Sequence, residues 1–125
     1  MIIESRISEI RRVDRMLEEI KAGHDLDEKL FSSMLTSVYE AVTNSIRHGN
    51  RFDVSKKVTV EFARRGGNRF IFRVTDEGDG FDWRSAPEPP SPDRIGGRGL
   101  LIMKRLAQKC IFNEKGNSVE LHFTA

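Results

Sequence analysis

Residues 40–50 read EAVTNSIRHGN, and this segment holds Glu40, Asn44 and His48 at four-residue steps. On an α-helix such spacing places the three side chains on one face. Polar residues opposite an apolar stripe are most often a solvated surface, and the segment taken alone has that interpretation. The alternative is a binding site, because the same helix end leads toward two glycine-rich turns with a carboxylate between them.

Three helices are predicted around this segment. The helix that contains it is expected to run from about Asp27, a plausible N-cap, to His48. An earlier amphipathic helix is expected to stop at Gly23, and a third is expected over Leu100 to Ala107. The apolar stripes of the first two helices contain Ile7, Ile10, Val13, Leu17 and Ile20, and then Leu30, Phe31, Met34, Leu35, Val38, Val42 and Ile46.

Alternating apolar residues predict two antiparallel hairpins. Residues 58–62 and 70–74 alternate on either side of a turn at 66–68, and residues 110–112 and 119–123 flank a turn at 115–117. Ile2 and Ile3 form only a short apolar start. The predicted class is α+β: a two-layer α/β sandwich in which a mostly antiparallel sheet is covered on one face by three helices.

The first glycine-rich turn is Asp76-Glu77-Gly78-Asp79-Gly80-Phe81, directly after a predicted strand. A carboxylate at the end of a buried strand is costly unless it accepts hydrogen bonds. The exocyclic amine of adenine, with water, would satisfy Asp76. A turn-capping role is equally consistent with the sequence, because Asp-x-Gly is a common turn pattern.

The second glycine-rich turn, Gly96-Gly97-Arg98-Gly99, directly precedes the third predicted helix. Glycines at a helix N-terminus let backbone N–H groups approach an anion, and the helix dipole favours negative charge there. A flexible hinge is the other interpretation, and in either case Arg94 and Arg98 bring positive charge. Together the blocks could hold a nucleoside triphosphate without a Walker A loop, since no G-x-x-x-x-G-K-[ST] occurs in the chain.

All four prolines of the chain lie between Pro87 and Pro92. Proline removes a backbone donor and restricts φ, so this stretch is predicted to be an extended, non-helical surface loop. It is either a plain linker or a mobile lid, about residues 84–97, over a ligand bound between the two glycine turns.

Composition narrows the possible functions. The 125 residues fit one domain over residues 1–125, and the net charge of +2 with interleaved charges does not resemble a nucleic-acid-binding face. No apolar run approaches the roughly 20 residues that cross a bilayer, and residues 1–6 lack a signal-peptide pattern. The single cysteine, Cys110, is expected to lie in a buried strand. These features lead us to expect a cytoplasmic protein without a membrane partner.

The three blocks, in this order, resemble the conserved boxes of the Bergerat-fold (GHKL) ATPase superfamily, which includes gyrase, MutL and sensor histidine kinases. Residues 40–49 resemble its N box, residues 76–82 its first glycine box and residues 97–100 its second. Within this superfamily the chain is most similar to the bacterial anti-sigma-factor serine/threonine protein kinases. The similarity lies in its small size, its short lid and the His48-Gly49 pair that follows Glu40-Ala41-Val42-Thr43-Asn44. The resemblance extends over nearly the whole chain.

The resemblance implies a role for each matching residue. ATP is the implied ligand and Mg²⁺ the implied metal, held by Asn44, while Asp76 accepts from the adenine amine. Glu40 is implied as the general base that takes the proton from a serine or threonine hydroxyl of a partner. The remaining cofactor-binding residues implied by the boxes are His48, Gly78, Gly80, Arg94, Gly97, Arg98, Gly99 and Leu100.

Two positions depart from the pattern of the superfamily. Many members have an arginine shortly before the second glycine box that meets the γ-phosphate, and here Arg94 stands close to that place. Members often have Gly-Thr near the last turn, where the hydroxyl joins the water network at adenine. This chain has Gly116-Asn117, with Ser118 following.

The resulting hypothesis is an anti-sigma factor with kinase activity. It would phosphorylate a small anti-anti-sigma (STAS-type) protein and sequester a sigma factor or other regulatory target by partner switching. The family also suggests a homodimer through the N-terminal strand and first helix, and no direct contact with nucleic acid. Two alternatives remain: a non-catalytic ATP/ADP-binding module that sequesters a partner, and a regulator that binds no nucleotide. Glu40 distinguishes a kinase from a binding module, which would not need it.

Overall fold

A computed structural model of the chain describes residues 1–80 and 95–125, with the backbone alone for residues 95–98. Its strands are β1 (Ile2–Glu4), β2 (Lys57–Arg65), β3 (Arg69–Thr75), β4 (Lys109–Phe112) and β5 (Ser118–Thr124). Its helices are α1 (Ile10–His24), α2 (Glu28–Asn44) and α3 (Ile95–Leu106), with a 3₁₀ turn at Ile7–Glu9 before α1 and a π-helical turn at Ser45–Gly49 after α2.

The five strands form one antiparallel sheet in the order β1-β2-β3-β5-β4. Both predicted hairpins are present, β2 with β3 and β4 with β5. The sheet is completed by the pairing of β3 with β5, in which Phe72 lies opposite Leu121. This arrangement confirms the predicted α+β sandwich with three helices and an antiparallel sheet.

One face of the sheet forms the core with the three helices. Alternate residues of β3, Phe70, Phe72 and Val74, are almost fully buried, as the two-residue period predicts. The helices contribute apolar stripes to the same core. Its members from the helices include Val13, Leu17, Met34, Val38, Val42, Ile46, Leu100 and Met103.

The helix boundaries match the prediction at the start of α2 and differ from it at the end of α1 and at the start of α3. α1 continues through Gly23 and ends at His24, because Asp25 takes the left-handed conformation (φ 51°) that closes a helix C-terminus. The N-cap of α2 is the predicted Asp27, whose Oδ1 accepts from the Leu30 N–H at 2.7 Å. α3 begins at Ile95, five residues earlier than expected, so that the glycines lie inside the helix and not before it.

None of the helices in the described residues is long and apolar enough to cross a membrane. β1 corresponds to the N-terminal strand that the family resemblance implies, although Ile2 and Ile3 alone are too few to show a two-residue period. It pairs only with β2 and therefore forms one edge of the sheet, while β4 forms the other.

Candidate functional site

Asp76 lies at the end of β3 on the helix-facing side of the sheet and is only 7% exposed. Its carboxylate accepts from the Gly78 N–H at 2.9 Å and from the Ser45 hydroxyl. Burial nevertheless raises the pKa of Asp76, because these two hydrogen bonds and the more distant Lys115 and Lys56 do not offset the lost hydration. A buried carboxylate in this state would gain from a further donor, such as a ligand amine.

The π-helical turn after α2 brings Gly49 against this carboxylate. The Asn50 N–H donates to the Ser45 carbonyl at 2.7 Å, a five-residue step that widens the turn relative to an α-helix. A Cβ on Gly49 would lie 2.7 Å from Asp76 Oδ1, a separation that real side chains do not adopt. A Cβ on Gly78 would collide with the backbone carbonyl of Gly49. Only glycine fits at either position.

The turn between β4 and β5 supports Asp76 from the other side. The Asp76 N–H donates to the Asn117 carbonyl at 2.9 Å, and Asn117 Nδ2 donates to the Asp76 carbonyl at 2.9 Å. Gly80 has φ +85°, and a Cβ there would collide with the backbone carbonyl of Lys115. Asp76 is therefore fixed at its backbone by Asn117 as well as at its side chain.

A second group of residues meets at α3. A Cβ on Gly99 would lie 2.8 Å from Asn44 Nδ2 and 2.9 Å from Glu40 Oε2. The side-chain tips of Glu40 and Asn44 thus converge on the same point of the α3 backbone, as expected for residues four apart on α2. The N-box residues and the second glycine block, separated by about 55 positions in sequence, are in contact.

Comparison with known proteins gives the same fold. Residues 3–123 match the family model described as histidine kinase-like ATPase domain. The chain belongs to this family. A histidine kinase domain from the blue-light activated histidine kinase of Erythrobacter litoralis EL346 is structurally similar, with a TM-score of 0.56 at 16% sequence identity. The match covers 87% of this chain and 56% of that one, so the chain spans little more than half the length of the relative.

Not every residue expected at the site of this histidine kinase-like ATPase domain joins the two groups. His48 is exposed in the π-helical turn, whereas Glu40 and Asn44 are half-buried and lie close to Gly99 of α3. Leu100 is buried in the core beside Met103. The backbones of Gly97 and Arg98 lie in the first turn of α3, which provides free N–H groups.

The remaining predicted parts of the ATPase domain lie outside the described residues. They are Arg94 and residues 84–94 of the predicted lid. Residues 95–97, the end of the predicted lid, belong to the first turn of α3. The site assignments of all these residues stay predictions.

Three polar residues at the site were missed by the sequence analysis. Ser45 and Asn117 hold Asp76 as described above, and Asn50 donates and accepts hydrogen bonds while only 1% exposed. Asn50 follows directly after the His48-Gly49 pair, and a polar residue at the end of a predicted helix could have been recognised as a hydrogen-bonding residue. Asn117 occupies the position where the superfamily often has threonine, and its amide contacts the backbone of Asp76.

The side chains of Asn44 and Glu40, which approach α3, suit a divalent cation that takes most of its ligands from a bound nucleotide and from water. No group of three or more His, Cys, Asp or Glu side chains that could hold a metal occurs among the described residues. Mg²⁺ commonly takes one or two protein oxygens and completes its shell with phosphate oxygens and water. The amide oxygen of Asn44, beside the Glu40 carboxylate, matches that donor set.

Cys110 of this ATPase domain has no part in the site. It lies in edge strand β4, and burial raises the pKa of its thiol to about 11, so the thiolate is scarce at neutral pH.

Proposed function

We propose that the chain is an ATP-dependent serine/threonine protein kinase that acts as an anti-sigma factor. It would phosphorylate an anti-anti-sigma (STAS-type) partner with ATP and Mg²⁺, and release or bind a sigma factor or other regulatory target according to the state of that partner. The observation that supports the proposal most is the convergence of Glu40 and Asn44 at Gly99. Membership of the histidine kinase-like ATPase domain family supports the nucleotide part of it.

The residues around Asp76 and those around Gly99 would hold opposite ends of ATP. At one end Asp76 would accept from the adenine amine, which supplies the donor that its buried carboxylate lacks. At the other end the first-turn N–H groups of α3 would face the phosphates. When bound, Mg²⁺ neutralises developing phosphate charge. Asn44 would hold it through its amide oxygen.

Glu40 would make the site a kinase and not only a binding site. Its carboxylate would accept the proton of the serine or threonine hydroxyl as that oxygen bonds to the γ-phosphorus. The bond from the γ-phosphorus to the β–γ bridging oxygen breaks, and ADP leaves. Glu40 lies beside Asn44 at Gly99, where the phosphates would bind under this proposal, and that proximity supports the role.

The proposal is tested by incubating the protein with labelled ATP, Mg²⁺ and candidate antagonist proteins. Glu40→Gln should keep ATP binding, measured as a thermal shift, but lower phosphate transfer by about 10²–10⁴-fold, the usual contribution of a general base. Asn44→Ala should instead lose the Mg²⁺-dependent part of the nucleotide affinity. If the protein binds nucleotide but transfers phosphate to none of the partners, the kinase proposal fails and the protein is a nucleotide-binding interaction module. Absence of a thermal shift with ATP or ADP would reject both.

The family resemblance also leads us to propose a homodimer formed through β1 and α1. β1 is an edge strand, and Ile2 on it is 61% exposed. A cavity of about 250 Å³ is lined by Met1, the residue before β1, and by four residues of α1, namely Arg12, Arg15, Met16 and Glu19. An exposed edge with apolar side chains is a surface on which a second chain can add.

A further inference from the structure

We propose that Asn50 is a positioning residue for adenine recognition and that Ser5 is its anchor, so that base selectivity depends on the N-terminal segment. This inference rests on the proposed nucleotide-binding function. Neither residue reaches the predicted ligand. Both are 1% exposed, and their hydrogen bonds connect the end of β1 to the turn that carries Asp76.

The Asn50 carboxamide joins three separate segments. Its Oδ1 accepts from the Glu77 N–H at 2.9 Å, next to Asp76 in the turn. Its Nδ2 donates to Ser5 Oγ at 2.9 Å and to the Lys57 carbonyl at 3.0 Å, at the start of β2. Both amide protons are therefore used, and the residue cannot move without breaking bonds to all three segments.

The orientation of this amide is fixed by its neighbours. The Glu77 N–H can only donate, so the atom facing it is the oxygen, and the Lys57 carbonyl can only accept, so the atom facing it is the nitrogen. The Ser5 hydroxyl accepts from Asn50 and donates its own proton to the Lys56 carbonyl at 2.6 Å. The chain of bonds has one consistent direction, from the Glu77 N–H through Asn50 and Ser5 to Lys56.

The turn has a second bond to the same region. The Lys57 N–H donates to the Glu77 carboxylate, so backbone and side chain of Glu77 are both tied to the segment between the π-helical turn and β2. The Asn50 backbone is in turn held by its N–H bond to the Ser45 carbonyl, and Ser45 also donates its hydroxyl to Asp76. Asn50 thus holds the backbone of the adenine-facing turn at Glu77, while Ser45 holds the Asp76 carboxylate.

Loss of the Ser5 hydroxyl should therefore act on the base and not on the phosphates. Ser5→Ala leaves one Asn50 proton without an acceptor, which frees the amide to move and loosens the Glu77 bond. We expect the affinity for ATP to fall about threefold to tenfold, the usual effect of one hydrogen bond. Affinities for GTP and for Mg²⁺-tripolyphosphate should stay unchanged, because neither depends on an amine donor to Asp76.

The matched control is Ser37→Ala. Ser37 is a fully buried serine on α2 whose hydroxyl has no hydrogen-bond partner in the described part of the chain. The two variants remove the same atom from equally buried places, and only Ser5 is linked to the turn. Equal losses in ATP affinity for both would overturn the proposal.

A double-mutant cycle separates the path through Asn50 from the Ser5 bond to Lys56. The loss caused by Ser5→Ala should vanish in an Asn50→Ala background, because the connection is already broken. An unchanged loss there would mean that Ser5 acts through Lys56, and Asn50 would have no positioning role.

Amide hydrogen exchange tests the coupling without nucleotide and with the full chain. Ser5→Ala should speed exchange of the Glu77 amide about threefold to tenfold, whereas Ser37→Ala should not. If the wild type binds no ATP, the proposed function fails, but the exchange rate of the Glu77 amide still shows whether Ser5 stabilises the turn. If the wild type prefers ATP over GTP while Ser5→Ala keeps both that preference and the slow exchange, only the present inference fails.

Discussion

At the scale of single residues, the decisive feature is a carboxylate whose surroundings are incomplete. Asp76 is buried and its pKa is raised by burial, although Gly78 and Ser45 donate to it. Such a charge lowers the stability of the protein without ligand, and a ligand amine would restore what is lost. The charged carboxylate at position 76 therefore lowers the stability of the ligand-free protein but would favour binding of a ligand amine.

Replacing Asp76 by Asn should show this opposition. Asp76→Asn removes the buried charge but keeps an oxygen that can accept from Gly78 and Ser45, so the free energy of unfolding without ligand should not fall. The thermal shift with ATP should disappear, because an amide oxygen is a weaker acceptor and its NH₂ repels the adenine amine. Denaturant unfolding and ATP titration of the two proteins measure both effects.

The same pair of proteins should differ in pH dependence. Because the pKa of folded Asp76 lies above its unfolded value, the folded state binds the extra proton first, and the wild type gains stability relative to Asp76→Asn as pH falls through the folded pKa. The gain is complete below the unfolded pKa of about 4. A difference in unfolding free energy that is constant between pH 7 and pH 4 would contradict the raised pKa.

Gly49 offers a second test at this scale. Gly49→Ala places a Cβ within 2.7 Å of Asp76 Oδ1, so the carboxylate or the π-helical turn must shift, and ATP binding should drop at least tenfold. Gly23→Ala is the control, because Gly23 lies inside α1 with open space around its Cβ position. That change should stabilise the protein by about 0.5–1 kcal/mol and leave ATP binding unaltered, as calorimetry and titration can show.

At the scale of elements, α2 and its π-helical turn place both halves of the site. The α-helical part presents Glu40 and Asn44 toward α3, and the wider turn then brings Gly49 against Asp76. The π-helical turn therefore connects the part of α2 that carries Asn44 to the region around Asp76.

The N-cap of α2 should contribute to stability alone. Asp27→Ala removes the acceptor for the Leu30 N–H and should lower the free energy of unfolding by about 1 kcal/mol. The cap stands at the helix end opposite Asn44, so ATP affinity should stay within twofold of wild type. A large loss of affinity would show that the helix start, and not only its end, positions the site.

At the scale of the whole molecule, the sheet has two edge strands, β1 and β4. Ile2 on β1 and Ile111 on β4 are both exposed edge isoleucines, at 61% and 48%. If the proposed dimer forms through β1 and α1, Ile2→Glu should convert dimer to monomer in sedimentation equilibrium, because it places a charge in the interface. Ile111→Glu should leave the dimer intact, and an equal effect of both changes would argue against an interface at β1.

Much of the fold followed from local pattern. The two-residue period of residues 58–62 and 70–74 predicts the β2–β3 hairpin, and the three- and four-residue steps of α1 and α2 predict their buried faces. Boundaries were less accurate. Gly23 does not end α1, because helix interiors tolerate glycine and the turn is made by Asp25 in the left-handed conformation.

By itself, the sequence determined the elements, the family and the residue types at the site, because periodicity and short glycine patterns are properties of neighbouring residues. Only the tertiary structure decided which residues hold Asp76 and its neighbour Glu77. Ser45, Asn50 and Asn117 are 31, 26 and 41 positions away from it, and they meet there through strand pairing and a π-helical turn that no local pattern announces. A buried polar group must find partners wherever the fold brings them, and their identity is therefore a property of the folded chain.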